Sequence, residues 1–367
     1  MRVLLHTPLK SPDHPVPSGD RTMARGLARL LRRLGHKVVM PALSTVAPGV
    51  PEPDAHLALE RRARAQAARL IAGWRALPAR HPERFDLWFT YHCYYRKPDW
   101  LGPLVTTALG IPYVIAEASH SPRRAQGATR LGHRSVERAL AAADLVLTVS
   151  PRDVAAVRSR LRPGARQATM APFVDTAPFR DAMRAATHAP PRLLAVGMMR
   201  RRDKLESYRV LARALGLLGE RPWQAVLVGD GPARAEVEAL MKPFGERVCF
   251  AGALPQAALP AVYANCDLYV WPAVNEAYGV AFIEAQAAGL PVLAGRTGGV
   301  PAVVADGQSG LLTPVGDAAA FASAIGQLLD DPAERARLSA GASAYAAAHH
   351  DERAAARVLA AALRLVR

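Results

Sequence analysis

The sequence predicts an α/β protein of two tandem doubly wound domains facing each other across a cleft. Three observations lead there. A chain of 367 residues is too long for one ordinary core and suits two domains of roughly 170 to 180 residues. Short apolar runs alternate with segments of helical period along nearly the whole chain, the pattern of βα units on a parallel sheet. That alternation also restarts near the middle, after a connector containing Pro190 and Pro191.

In the first series, Val3–Leu5 reads as a strand, followed by a Pro- and Gly-rich loop through Gly19 and Asp20 and a helix over Met23–Leu34. Strands follow at Lys37–Met40, Asp86–Tyr91, Pro112–Ala116 and Leu145–Ser150, with helices at Leu57–Trp74, Trp100–Leu109, Gly132–Ala142 and Arg152–Leu161. The second series opens with strand Arg192–Val196 and helix Ser207–Leu218. It continues through Ala225–Val228, Ala233–Met241, Val248–Ala251, Leu259–Ala264, Leu268–Val270, Val280–Ala288, Val292–Ala294 and Ala318–Leu329. The expected domains are residues 1–185 and 186–350, with a C-terminal helix over about 351–367 packing back on the first. Ligands of open α/β sheets bind beyond the carboxyl ends of the strands, so the loops there are where chemistry is sought.

Half the residues are hydrophobic and 21% are charged, a globular composition. No uncharged apolar run reaches 18 residues and the N-terminus lacks a signal-peptide core. The expected location is therefore the cytoplasm, free or peripheral on the inner face of the membrane. Cys93, Cys249 and Cys266 lie far apart without C-x-x-C spacing; buried apolar filler is the expected role, with neither disulfide nor zinc site. The net charge of +16 is lopsided: residues 1–180 carry 28 Lys and Arg against 13 Asp and Glu, the remainder 19 against 18. Such a field attracts anionic lipid, phosphorylated substrates or nucleic acid. Without a helix-turn-helix, zinc finger or aromatic–basic interleaving, nucleic acid is not expected as a partner.

The densest motif is NEAYGVAFIEAQAAGLP, residues 275–291. Glu276 and Glu284 are separated by seven residues, and Gly279 stands before a helix that begins at Val280 and ends at Gly289. A Gly at a helix entrance lets backbone N–H groups approach an anion, and the helix N-terminus adds positive potential for a diphosphate. A carboxylate one turn into the helix can accept from two ribose hydroxyls, while one on the preceding loop, flanked by Tyr278, can reach sugar hydroxyls. The plainer alternative is an amphipathic helix with two carboxylates. A second element is VGMMRRRDK, residues 196–204, which gathers Arg200, Arg201, Arg202 and Lys204 at a strand's carboxyl end, where a leaving diphosphate needs charge compensation.

E-x7-E after an apolar strand, with G-x4-E inside it and A-x-G-x-P-V behind it, resembles the family 4 retaining glycosyltransferases, the group 1 glycosyl transferases of GT-B fold. Val228-Gly229-Asp230-Gly231-Pro232, Val248–Leu254, Gly298-Gly299, Asp306-Gly307 and Gly310-Leu311-Leu312 follow in the family's order. So, in the first half, do Ser18-Gly19, Gly35-His36-Lys37-Val38, Ala143-Asp144, Val149-Ser150 and Val174-Asp175 with Phe179. The resemblance implies two Rossmann-like domains, the first binding acceptor and the second a nucleotide-sugar donor. It implies that an Arg and a Lys clamp the diphosphate, assigned here to Arg200 and Lys204; Met198 stands where the family usually has Arg. It implies Glu284 on the ribose, Glu276 on the donor sugar, and a His near that sugar, assigned to His120 at the end of YVIAEASH, with His92 as the competing candidate. Gly19, Gly229, Tyr278, Gly279 and Val280 complete the expected donor contacts. The catalytic set is thus His120, Glu276, Arg200 and Lys204.

No Asp-x-Asp is present to hold a divalent cation at the diphosphate, so neither metal nor other cofactor is expected and the nucleotide sugar is a substrate. There is no G-x-x-x-x-G-K-[ST] loop, and G-D-G-P-A-R at Gly229 lacks the third Gly of a dinucleotide fingerprint. The expected reaction is retaining transfer of a sugar to an acceptor hydroxyl. The acceptor is a glycan, lipid-linked or small molecule, as in cell-envelope or exopolysaccharide synthesis, with an anionic membrane surface as a partner of the basic half. The alternatives are a nucleotide-sugar epimerase or phosphorylase of the same fold, or a noncatalytic basic binding protein. Arg123, Arg124, Arg130 and the helix Arg61–Arg75 supply the anionic-acceptor or membrane face.

Overall fold

The computed structural model describes residues 1–15, 18–40, 53–183 and 188–366. Two units divide it, Met1–Ala171 with Ala355–Arg367, and Pro172–Ala354. The boundary expected between residues 185 and 186 lies outside the described residues; the change of unit falls upstream of it, at Ala171.

The first unit holds strands β1 (Arg2–His6), β2 (Lys37–Val39), β3 (Leu87–Cys93), β4 (Tyr113–Ala118), β5 (Leu145–Thr148) and β6 (Arg166–Thr169). Its helices are α1 (Gly19–Arg33), α2 (Pro53–Ala76), α3 (Gly102–Leu109), α4 (Arg130–Ala142) and α5 (Asp153–Arg158). All pairings are parallel, in the order β2-β1-β3-β4-β5-β6. Central strands of such a sheet are covered on both faces and so read as unbroken apolar runs. In β3, LWFTYHC, every residue but His92 is buried.

One buried carboxylate organises this core. Asp99 accepts from Trp88 Nε1 at 3.1 Å, Thr90 Oγ1 at 2.5 Å and Tyr113 OH at 2.8 Å on one oxygen. Its other oxygen accepts from the backbone N–H groups of Leu101 and Gly102 at the start of α3. Five donors satisfy a charge that would otherwise be costly to bury, and they pin β3, β4 and α3 together.

The second unit holds α6 (Ala177–Arg180), β7 (Arg192–Val196), α7 (Asp203–Gly216), β8 (Gln224–Val228), α8 (Arg234–Met241), β9 (Val248–Gly252), α9 (Leu259–Ala264) and β10 (Leu268–Trp271). Then come α10 (Val280–Ala287), β11 (Val292–Gly295), β12 (Gly310–Thr313), α11 (Ala318–Asp330) and α12 (Pro332–Tyr345). Helix α13 (Glu352–Leu363) carries the chain from this unit into the first. The strand order, β12-β11-β10-β7-β8-β9, is again all parallel. The two ends of the unit are tied to each other: Val174 N donates to His350 O at 3.0 Å and Thr176 Oγ1 to Asp351 at 2.5 Å.

Two expectations change. Gly19, read as a loop residue, is the first residue of α1, because Ser18 caps that helix by accepting from Arg21 N at 3.3 Å. Cys93 and Cys266 are buried, their thiols pushed up to about 12 by burial, but Cys249 is exposed. It lies on β9, the strand at one edge of the second sheet. Among the described residues no helix is long and apolar enough to cross a membrane.

Candidate functional site

Both sheets contain a point where consecutive connections leave in opposite directions, which opens a crevice at the carboxyl ends of two neighbouring strands. In the second sheet those strands are β7 and β10. The loop after β7 leads to Lys204, and the loop after β10 carries Asn275 to Gly279. The structure joins them across the crevice: Lys204 Nζ lies 2.5 Å from Glu276 Oε2 and 5.2 Å from the centroid of the Trp271 ring. Asn275 Nδ2 donates to Asp203 Oδ2 at 2.8 Å. Ser207 Oγ accepts from Val274 N at 3.0 Å and donates to Asp203 O at 2.9 Å. Three hydrogen-bonded contacts, Lys204–Glu276, Asn275–Asp203 and Val274–Ser207, thus hold the entrance of α7 against the β10 loop.

Behind this pair, Gly229 follows β8 with φ +136°, and a Cβ there would strike the carbonyl oxygen of Gly197. Only glycine allows the β7 and β8 exits to approach this closely. Met199 N donates to Asp230 O at 2.9 Å, locking the two loops together. Gly279 has φ +73°, and a Cβ on it would lie 2.6 Å from the Phe282 ring. It turns the chain into α10, directing the first amides of that helix, from Val280 on, along the axis as donors for an anion. The Glu276–Tyr278 loop rests on the following turn, where Gly299 N donates to Ala277 O at 2.5 Å. Tyr278 is buried beside it.

Glu284 lies one turn into α10 and is 5% exposed. Gln256 Nε2 donates to its Oε1 at 3.1 Å and Tyr263 OH to its Oε2 at 3.0 Å. Burial raises its pKa above the ordinary 4.5 and outweighs these two donors, which act the other way. Each oxygen retains a further lone pair, so two acceptor sites remain. Of the arginines, Arg200 extends exposed after β7, while Arg201 Nη2 sits 3.4 Å from Glu236. Arg202 has φ +66°, a strained conformation for a non-glycine residue that commonly accompanies function.

The first sheet reverses between β1 and β3, and a polar cluster stands there as well. His92, the penultimate residue of β3 and at φ +63°, places Nδ1 3.2 Å from Asp20 Oδ1 at the start of α1 and 3.6 Å from Glu117 Oε1. Glu117, in β4, has φ +61°. Burial lowers the His92 pKa, but Glu117, Asp20 and Asp153 together outweigh it and leave it raised. Asp153 is held by Ser119 Oγ at 2.8 Å; burial raises its pKa despite Ser119 and His92. The sequence offered His92 only as a competitor to His120 and missed its carboxylate partners.

His120 is buried on partners of its own: Nε2 is 3.2 Å from Glu137 Oε1, and its ring lies 4.8 Å from that of His133. The structure therefore brings Lys204, Glu276, Tyr278, Gly279, Val280 and Gly229 into one set of loops with Glu284 behind them. His120 and Gly19 belong to the other unit.

Two parallel, doubly wound sheets in tandem define the GT-B class of fold, two Rossmann-like domains in one chain. The solved structure of Anabaena Alr3699/HepE in complex with UDP-glucose superposes with a TM-score of 0.70 over 99% of this chain and 100% of its own, at 18% identity. At that identity the likeness bears on the fold alone. Residues 190–331 match the family described as glycosyl transferases group 1, and the chain belongs to that family. The D-inositol 3-phosphate glycosyltransferase of Corynebacterium urealyticum is 33% identical over 210 residues, 52% of this chain and 49% of the relative. The GDP-mannose-dependent alpha-(1-6)-phosphatidylinositol monomannoside mannosyltransferase of Mycolicibacterium smegmatis is 31% identical over 255 residues, 65% of this chain and 66% of the relative. The chain spans about half the length of most curated relatives it matches.

Proposed function

We propose that this protein is a retaining glycosyltransferase that moves a sugar from a nucleotide-sugar donor to an acceptor hydroxyl with no metal at the diphosphate. The observation that carries the reading is the Lys204–Glu276 pair across the β7/β10 crevice. It puts a cation and a carboxylate side by side near the entrance of α10, a pairing that suits a departing diphosphate and a sugar's hydroxyls. Glu284 takes the ribose through its two remaining acceptor sites, Lys204 and Arg200 the diphosphate, and Glu276 the donor sugar. Gly229, Tyr278, Gly279 and Val280 shape the backbone around them. Neighbours of this fold bind UDP-glucose and a relative uses GDP-mannose, which supports a nucleotide-sugar donor and leaves both bases for trial.

In the reaction, the acceptor oxygen bonds to the anomeric carbon on the face from which the diphosphate departs. The carbon–oxygen bond to phosphate breaks, and a phosphate oxygen receives the acceptor's proton. Lys204 stabilises charge developing on the leaving group, the interaction that lowers the barrier. The acceptor falls to the first unit, whose half of the chain carries most of the net positive charge. Inositol phosphate and phosphatidylinositol mannoside, named for the relatives, are anionic polyols or their lipids. An anionic lipid-linked or glycan acceptor at the inner membrane face suits that charge.

The test is release of nucleoside diphosphate from UDP- and GDP-sugars, without added Mg2+ or Mn2+, by the intact chain and by Glu276→Ala. Turnover by the wild type and its loss in a folded Glu276→Ala support the reading. Equal turnover by both overturns the role of the crevice.

A further inference from the structure

Outside the crevices, the described residues include a cluster of ligating side chains that has no part in the proposed reaction. His133 and Glu137 lie one turn apart on α4 and so project from the same face of the helix. His120 follows β4 and is turned inward onto them. His120 Nε2 lies 3.2 Å from Glu137 Oε1, and His133 Nδ1 3.7 Å from Glu137 Oε2. One ligand atom from each residue falls within 4.8 Å of the others.

These separations carry information. A tetrahedral ion with bonds of about 2.0–2.1 Å holds its ligand atoms roughly 3.3–3.5 Å apart, so the three side chains already stand close to the span of a coordination sphere. Both imidazoles are buried, at 6% and 4% exposure. Among the described residues, Nδ1 of His120 and both nitrogens of His133 have no partner at hydrogen-bonding geometry, although the Ser121 backbone and the Glu137 carboxylate lie close to the His133 ring. Buried polar nitrogens without partners are rare in native proteins and call for an explanation. A bound ion would occupy one nitrogen of each ring.

We propose that His120, His133 and Glu137 bind one divalent transition-metal ion, Zn2+ being the best match, as a structural centre of the first unit. Two imidazoles and a carboxylate suit Zn2+ or Co2+ and are too rich in nitrogen for Mg2+ or Ca2+. Water completes the sphere. Glu137, 33% exposed, opens the path of entry. Arg160, 3.5 Å from Glu137 and 45% exposed, swings away into solvent. The ion ties the segment between β4 and α4, which carries exposed Arg123 and Arg124, to the helix beneath it. This assignment takes His120 away from the donor sugar, and it is independent of the sugar-nucleotide chemistry.

The experiment uses the intact chain, treated with chelator, freed of it, and titrated with Co2+ and then Zn2+. One equivalent of Co2+ should produce the visible absorption of a tetrahedral ion, one equivalent of Zn2+ should abolish it, and Zn2+ should raise Tm. Glu137→Gln, which preserves shape, and His133→Asn, each checked for folding by circular dichroism, should weaken Co2+ binding by more than the roughly 10- to 100-fold that loss of an outer-shell partner costs. No absorption at one equivalent of Co2+, or undiminished binding by Glu137→Gln, overturns the proposal. Neither result depends on turnover.

Discussion

Replacing Glu284 by Gln separates donor binding from stability, because the two depend on its charge with opposite signs. The carboxylate is 5% exposed, and each oxygen already accepts one protein hydrogen bond. Two acceptor sites therefore remain for the vicinal hydroxyls of a ribose. A hydrogen bond to a charged group contributes about 1.5–3 kcal/mol against about 0.5–1.5 kcal/mol for a neutral pair. Neutralising both should cost about 2 kcal/mol, or roughly 30-fold in donor Kd. Stability moves the other way. The folded pKa of Glu284 is raised above the ordinary 4.5 by burial, so as pH climbs past that value the unfolded chain releases its proton first and the fold loses stability. Gln escapes this loss. Its carbonyl can accept from Tyr263, and a flipped Gln256 amide can accept from its NH2. Calorimetric titration with donor and urea denaturation at several pH values check both limbs. Equal donor Kd for the two proteins, or a Gln variant less stable than wild type at neutral pH, would refute the reasoning.

Three further outcomes are expected. Lys204→Met should lower kcat/KM for the donor by about 10²- to 10³-fold, the loss typical of removing one transition-state donor, and should lower Tm by leaving Glu276 uncompensated; turnover within a few-fold of wild type contradicts the diphosphate role. Gly229→Ala places a methyl against the Gly197 carbonyl at φ +136° and should destabilise the second unit by at least about 1–3 kcal/mol, read by denaturant unfolding. His92, its pKa raised despite burial by Glu117, Asp20 and Asp153, contributes stability that is complete below its ordinary value of 6.5 and disappears as pH rises through the folded value. Unfolding measurements should find His92→Asn more damaging at about pH 5.5 than at about pH 9, and equal damage at both would remove the ion-pair account.

The legible parts of this chain are those whose physics is local. Strand β7, RLLAV, is found at its expected bounds because a central parallel strand carries an unbroken apolar run, here Leu193–Val196 after Arg192. Two of the four edge strands escaped, β6, which reads RQAT, and β12, whose short GLLT looked like a loop, while the edge strands β2 and β9 were read from their Val- and Phe-bearing runs. Glu276, Gly279 and Glu284 were visible through spacing on one turn and one helix. Gln256 and Tyr263, which hold Glu284, come from 28 and 21 residues upstream, and no local pattern announces such partners. The same holds for Asp20 and His92, which meet only because β1 and β3 are neighbours. His133 and Glu137 have chelating spacing, but without His120 from another element the pair reads as an ordinary helix face.

The central claim is that the β7/β10 crevice binds a nucleotide sugar, and thermal unfolding of the intact chain across a panel of UDP- and GDP-sugars tests it most directly. A true donor at one hundred times its Kd should add about 2.7 kcal/mol of stability, with a concentration-dependent rise in Tm that Lys204→Met and Glu284→Gln diminish. A panel in which no nucleotide sugar raises Tm, or in which the rise is the same in both variants, would contradict it.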